Sequence, residues 1–427
     1  MGITYFNAML NPTTIAIPLY FLLIGLELMA AHYQKTKLYR LNDAITNINT
    51  GASQQIVAVL MRLIGVNIYA WLYTSPINLQ LVGTTFSWLN FIILFIAWDF
   101  CYYWAHRMSH EINLMWSGHV VHHQSEDYNL SVALRQSWFQ GIWTAPFYLP
   151  LAFVGFRPED VVYVSGLNLI YQFWIHTEIV GKLGPLEWVF STPSHHRVHH
   201  GRNPEYIDKN HGGVFIIWDR MFGTFQEEKA KPVYGITTPV KSWNPVWVNF
   251  AHFKTIGQQL SEARSWQDKL KVLFYKPGWS AKMAAYLPIP EVDRQTTPKF
   301  VTPTTPGLNA YVLIQYLLAM VGTALLLFQV ETLPLLPKVI GCLLVIWYVG
   351  STGALFEYRS WAYALELTRL WVSVGAVSYL LYTQPLIVWL MPAMVALALG
   401  SSLWLLYLRR QAAGQLELLG VKYPMLK

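Results

Sequence analysis

Apolar positions along this chain run on for many residues at a time, with no strict alternation. A helix that crosses a bilayer needs ~20 mostly apolar residues. Runs of that kind are read at about Thr14–Ala31, Ser53–Tyr73, Val82–Tyr103, Trp138–Val154 and Val161–Ile175. The polar stretch Gly181–Thr305 follows, and then four more runs at about Leu308–Phe328, Leu335–Gly353, Leu367–Tyr382 and Leu386–Leu406. The pattern predicts an all-α, polytopic membrane protein with about nine transmembrane helices. Arg62 falls inside the second run and is expected to face the bundle or to snorkel. Only GFRPED separates the fourth run from the fifth, so these two are expected to form an antiparallel hairpin. Pro185, Pro193 and Pro204 break residues 184–225 into loops and short helices, and a proline in the first turn marks Pro193 as a helix start. The turn-rich stretch Tyr234–Pro303 is expected to cap one membrane face. Four regions follow: 1–105, membrane-spanning; 106–225, carrying the chemistry and a membrane hairpin; 226–305, the cap; and 306–427, membrane-spanning.

Composition strengthens this picture. Of 427 residues, 54% are hydrophobic and 12% charged, where a soluble domain carries about 25% charged. Tryptophan (19) and tyrosine (25) are abundant enough to furnish interfacial belts. The net charge of +7 fits loops facing the cytosol and is not read as nucleic-acid binding. Cys101 and Cys342 predict neither a disulfide framework nor a cysteine metal site. Met1–Asn11 lacks a basic segment, so no cleavable signal is expected, and the terminal VKYPMLK holds no retrieval signal. Of the 30 Lys and Arg, 16 lie between Lys182 and Lys299. Lys35, Lys37 and Arg40 follow the first run, and Arg409 and Arg410 follow the last. The positive-inside rule therefore predicts an external N-terminus, a cytosolic C-terminus and a cytosolic histidine-rich region, in a bacterial inner membrane or the endoplasmic reticulum.

The histidines carry the candidate chemistry. Of 13 in the chain, 11 lie between His106 and His211; only His32 and His252 fall outside. They form an HxxxH (His106, His110), an HxxHH (His119, His122, His123) and the cluster SHHRVHH (His195, His196, His199, His200), with His176 between. On a helix, positions i, i+3 and i+4 share a face. Neutral imidazole is the commonest metal-ligating side chain. Three converging faces would offer eight or more nitrogens, too many for one ion, so two metals are expected. All-nitrogen sites suit iron, zinc or copper more than magnesium or calcium.

Between Asp99 and Phe225, the three motifs in this order and the closing WDRMFGTF (Trp218–Phe225) resemble the fatty acid hydroxylase superfamily of membrane-bound non-haem di-iron enzymes. Within it, WAHRMSHEINLMWSGHVVHHQSEDYNLSVALRQS and PSHHRVHHGRNPEYIDKNHGG are most similar to the alkylglycerol monooxygenase branch. The resemblance implies two iron ions, dioxygen, and tetrahydrobiopterin as electron donor. It also implies oxidation of the ether-linked carbon of an alkylglycerol to a hemiacetal that falls apart to aldehyde and glycerol. His106, His110, His119, His122, His123, His196, His199 and His200 then become iron ligands, with His176 as a further one. His195 is a ligand or an outer partner, and His211 a bystander. The expected partners are the bilayer, a membrane lipid substrate and an electron donor, which a flavin or ferredoxin system could replace.

Each ligand histidine should donate its other ring N–H to an acceptor, and Glu111, Glu126, Asp127 and Asp208 are candidates for that role. Glu111, in the middle of the cluster, is expected to be catalytic. Tyr128, Asn129 and Tyr206 could line a substrate or pterin pocket; Trp98, Trp104 and Trp116 read as interface belt. Competing readings are a sterol or fatty-acyl hydroxylase or desaturase, a membrane zinc hydrolase with Glu111 as general base, and a transporter. A hydrolytic zinc site needs three protein ligands and an open position, which nine histidines exceed. A transporter site belongs near mid-bilayer, away from one face.

Overall fold

A computed structural model describes residues 12–82, 87–330 and 332–418; the described side chains exclude residues 13, 14, 60–67 and 412–418. Met1–Asn11, the Arg62 side chain, residues 83–86 of the third expected run and the C-terminal tail lie outside the described residues. The fold is built of helices, with a single two-stranded ribbon at Trp279–Ser280 and Ala285–Tyr286 among the described residues. In chain order the main helices are α1 (Pro12–Tyr33), α2 (Leu41–Thr74), α3 (Trp88–Glu111), α4 (Asn113–His123), α5 (Pro158–Trp174), α6 (Pro193–His199) and α7 (Ile217–Phe222). They continue as α8 (Pro245–Glu262), α9 (Trp266–Phe274), α10 (Pro306–Gln329), α11 (Leu335–Phe356), α12 (Ala362–Leu381) and α13 (Ile387–Leu418).

Six helices among the described residues are long and apolar enough to cross a bilayer: Ile15–Tyr33, Trp88–Glu111, Pro306–Gln329, Leu335–Phe356, Ala362–Leu381 and Ile387–Gln411. They mark an integral membrane protein. Six meet that test where the sequence predicts about nine: the hairpin accounts for two of the difference, and the remaining run, Ser53–Tyr73, includes side chains outside the described residues. Residues 140–154 form helical pieces of 5, 4 and 6 residues, the middle one a 3-10 turn, with Pro146 and Pro150 at the joints. At 1.5 Å per residue they reach about 22 Å, short of a ~30 Å hydrocarbon core. The last piece stops at Gly155, whose φ of 106° only glycine adopts freely. α5 has 17 residues and starts at Pro158, where a missing N–H costs nothing.

The chain divides into two compact units. The larger holds residues up to 54, 60–240 and 249–299. Its core gathers Leu94, Trp98, Leu151, Phe156 and Val164. A second cluster joins Tyr20 and Ile24 of α1 to Phe173 of α5.

The smaller unit holds residues 55–59, 241–248 and 300–427. There α10 to α13 pack each on the next, and α10 returns to α13, as a four-helix bundle. Thr305 caps α10 by accepting the Leu308 N–H, and Pro306 opens its first turn. The bundle interior is not purely apolar. Glu366 accepts from Tyr311, Ser351 and the Arg369 guanidinium, and Arg369 reaches Gln315, which donates to Ser401. A charge inside a membrane bundle is costly unless paired, and here every member has a partner.

Candidate metal centre

α3 and α4 are nearly continuous: Ile112 alone separates them, in an extended conformation that turns the chain. α3 brings His106 and His110, α4 brings His119, His122 and His123, and α6 brings His196 and His199, with His200 at its C-terminal cap. His176 sits just past the end of α5. All nine are buried, and they divide into two sets whose ligand-type atoms lie within 4.8 Å of one another. One set is His106, His110, His119, His123 and His199; the other is His122, His176, His196 and His200.

The division follows from helix geometry. Residues four apart lie about 40° apart around a helix, whereas i+3 falls about 60° from i in the other direction. In α4 the i, i+4 pair His119 and His123 joins the first set, and His122 turns to the second. In α6 the pair His196 and His200 joins the second set, and His199 turns to the first. Each HxxHH motif thus gives two rings to one set and one ring to the other.

Hydrogen bonds fix which nitrogen faces inward. His106 Nδ1 donates to the His211 carbonyl (2.8 Å), His122 Nδ1 to that of Arg135 (3.0 Å), His176 Nδ1 to that of Gln172 (2.8 Å) and His199 Nδ1 to that of Lys209 (2.9 Å). A carbonyl only accepts, so each of these Nδ1 atoms carries the proton and each Nε2 is left with a lone pair. His122 Nε2 and His176 Nε2 nevertheless face each other at 3.2 Å. Two lone pairs at that distance repel unless a cation sits between them. Further inward pairs are His106–His119 (2.9 Å), His119–His123 (3.0 Å), His176–His196 (2.9 Å) and His196–His200 (3.2 Å). The buried Nε2 atoms of His110 and His199 have no protein partner. Nitrogens that share an ion at about 2.0–2.1 Å stand about 3 Å apart when adjacent, so the donor set fits metal. Burial also keeps the rings neutral: it holds His122 down to about 4 and pushes His119, His123, His176, His196, His199 and His200 well below the usual imidazole value.

The remaining candidates spread around this centre. His195 stands outside both sets: its Nδ1 accepts the Thr192 N–H (3.4 Å), closing the first turn of α6, and its ring meets Phe225. His211 is fully buried beside His106, His110 and His199 but joins neither set. Glu111 is ion-paired with Arg107 (2.9 Å) and lies 3.9 Å from Lys276. Lys276 in turn pairs with Asp208 (3.2 Å), whose other oxygen lies 3.5 Å from His110 Nδ1. Asp208 thus places a carboxylate beside a grouped imidazole. Asp127 pairs with Arg40 and Lys299, and Glu126 is buried beside Gly235. Tyr128 stacks between His176 (5.9 Å) and Tyr234 (4.7 Å). Asn129 caps the short helix Leu130–Ala133, and the Tyr206 hydroxyl is taken up by the backbone of Lys229 and Ala230. Trp98 is buried, against the interface-belt expectation, and stacks on Tyr148 (4.9 Å), while the half-buried Trp116 ring lies 4.8 Å from that of His110. Trp104 packs on Phe222.

The sequence reading missed several supports. Glu27 of α1 accepts from Tyr39, Thr177 and the Leu130 N–H, so it ties the residue after His176 to the loop after α4. Asp99 of α3 accepts from Asn168, Val214 N–H, Phe215 N–H and Trp218. Arg135 donates to the Val121 carbonyl, Asn47 and Gln124, while its own carbonyl holds His122. A charge within an apolar run, as in LLIGLEL and IAWDF, is the signal that could have found the first two.

A family model for fatty acid hydroxylase matches residues 91–224. Alkylglycerol monooxygenase from Xenopus tropicalis is 39% identical over 359 residues, 82% of this chain and 78% of that protein. Alkylglycerol monooxygenases from Homo sapiens and Danio rerio are each 39% identical, over 83% and 77% of this chain and 80% and 74% of their own. The chain belongs to the alkylglycerol monooxygenase family. All nine grouped histidines fall within the segment matched by the fatty acid hydroxylase model. The family likeness runs well beyond that segment, since it covers about four-fifths of the chain. No solved structure matches it.

Proposed function

We propose that the chain is an oxygen-dependent di-iron lipid monooxygenase that hydroxylates the ether-linked carbon of an alkylglycerol, releasing a fatty aldehyde and the glycerol remainder. The observation that carries this reading is the pair of unprotonated, buried Nε2 atoms of His122 and His176 at 3.2 Å, within a nine-imidazole cluster of a chain 39% identical to alkylglycerol monooxygenases. One iron would be held by His106, His110, His119, His123 and His199, the other by His122, His176, His196 and His200. Iron with dioxygen supplies the oxidising power for an unactivated C–H bond, which side chains lack. One oxygen atom ends in the hemiacetal and the other in water, the two electrons for the latter coming from a reduced pterin.

The protein's own part is to hold and to exclude. Backbone carbonyls keep Nδ1 protonated and turn each Nε2 inward. Burial keeps the rings neutral and water out. The chain Arg107–Glu111–Lys276–Asp208 leans on His110. Glu111 thus acts through its neighbours to position His110, and its engagement in ion pairs argues against a hydrolytic base. Tyr128 walls the four-histidine set. The centre lies on the cytosolic face, where Lys and Arg are concentrated, and residues 41–74 and 140–174 enter the bilayer beside the six spanning helices.

The test is to give the purified protein a labelled alkylglycerol with reduced pterin and to look for labelled aldehyde. Aldehyde formation with about two iron per chain, as expected for two imidazole sets, supports the proposal. Oxidation of a sterol or acyl chain without aldehyde would replace the substrate, and an active preparation with stoichiometric zinc would remove the oxygen chemistry.

A further inference from the structure

The nine-residue helix α9 has an apolar stripe that the protein does not cover. Trp266, Leu270 and Phe274 follow at four-residue spacing and are 67%, 43% and 55% exposed. A different side of the same helix is spent on packing: Val272 is buried with Ile256, Ala263 and Trp279. Three large apolar side chains in line, outside the bilayer-length helices, mark an interaction surface.

Two further observations say what covers it. First, α9 is pinned beside the end of a bilayer-length helix. Asn113 donates its backbone N–H to the Tyr275 carbonyl (2.9 Å) and its side-chain amide to the Val272 carbonyl (2.8 Å). Asn113 opens α4, two residues past Glu111, where the bilayer-length helix α3 ends. The C-terminal end of α9 therefore sits where a spanning helix emerges. Second, the flanking charge is mainly basic: Arg264, Lys269 and Lys282 stand against Glu262, while Lys271 is paired with Asp268 and Lys276 with Asp208. A short helix with Trp, Leu and Phe along one stripe and lysines beside it has the composition of a helix that lies in the headgroup region.

We propose that α9 is an interfacial helix, with Trp266, Leu270 and Phe274 sunk into the headgroup–acyl boundary of the leaflet beside the metal centre and its basic neighbours on anionic headgroups. Through Asn113 this contact bears on α4, which carries His119, His122 and His123. The leaflet is thereby held against the helix that supplies a third of the grouped imidazoles. The inference rests on membrane embedding and not on the reaction proposed above.

A photoreactive phenylalanine analogue placed at position 270, and separately at Asp268, about 160° round the helix from it, tests it in the full-length protein. The protein is irradiated in nanodiscs of phosphatidylcholine and phosphatidylserine, and adducts are identified by mass. Position 270 should carry lipid adducts and position 268 should not, and the yield at 270 should fall several-fold when phosphatidylserine is omitted. Water addition at 270 as at 268, or cross-linking at 270 to a second protein chain, would overturn the proposal. An unchanged yield without phosphatidylserine would overturn its anionic part. None of these readouts depends on metal loading or substrate.

Discussion

At the scale of single residues, the feature that sets the chemistry is which nitrogen of each ring carries hydrogen. His122 and His176 both spend their Nδ1 protons on carbonyls, so each depends on a shared cation. His122→Ala should abolish turnover and empty the four-histidine set while the five-histidine set keeps its ion; metal analysis showing full retention would refute that assignment. Asp208 stands close to a grouped ring, at 3.5 Å from His110 Nδ1. Loss of such an outer partner costs about 10–100-fold in metal affinity, so Asp208→Ala should weaken metal retention by that order in a chelator competition. Asp208→Asn, which keeps an acceptor, should cost less. Eight of the nine grouped positions stand out in the sequence, because HxxxH and HxxHH put imidazoles on one side of a helix, whereas His176 is singled out only by the family resemblance. Their partition was not legible: His122 and His199 each cross to the set opposite their own neighbours, and only the relative placement of α4 and α6 decides that.

At the scale of elements, the short pieces around the centre matter more than the long helices. α6 is a seven-residue helix, too short to persist alone, and His195 closes its first turn. Glutamine at that position of a capping box can reach the same N–H. His195→Gln should therefore keep both metal and activity, whereas His196→Gln should lose both; equal loss in the two variants would place His195 among the ligands. After α6, Gly213 runs close against α3: an added Cβ would stand 2.9 Å from Asp99 Oδ1 and 2.9 Å from the Tyr102 ring. Gly213→Ala should push the 211–215 segment off Asp99 and weaken the carbonyl support of His106, seen as a shift in the absorption of the cobalt-substituted protein. Long apolar runs announced the spanning helices well. The 138–154 run folds as short pieces because Pro146 and Pro150 interrupt an apolar stretch that composition alone reads as continuous.

At the scale of the whole molecule, metal and fold are coupled. The imidazoles come from α3, α4, α6 and the end of α5, so ions held by the two sets would cross-link pieces far apart in sequence. Chelation should lower the melting temperature, and reconstitution should restore it. Protons should act in the same direction. Burial holds His122 and His195 down to about 4, against an ordinary value of ~6.5. Below that ordinary value the unfolded chain takes up protons that the folded chain refuses. Stability is therefore full above pH ~6.5 and drains away as the pH falls toward about 4; a flat denaturation midpoint of the metal-free protein across that window would contradict this. In the smaller unit, Arg369→Met would strand Glu366 without its counter-charge, a loss of about 3–5 kcal/mol for a buried pair. That loss should appear in the unfolding of residues 300–418 by hydrogen exchange.

The segment from Asp208 to His211 serves three of the five rings in one set: a carboxylate for His110, and the carbonyls of Lys209 and His211 for His199 and His106. Every amino acid brings a carbonyl, so the support at Lys209 survives any replacement that leaves the chain's path intact. An alanine walk through this loop would flag position 208 and pass over its neighbour in silence. Changing the length of the loop by one residue would reveal what the walk missed.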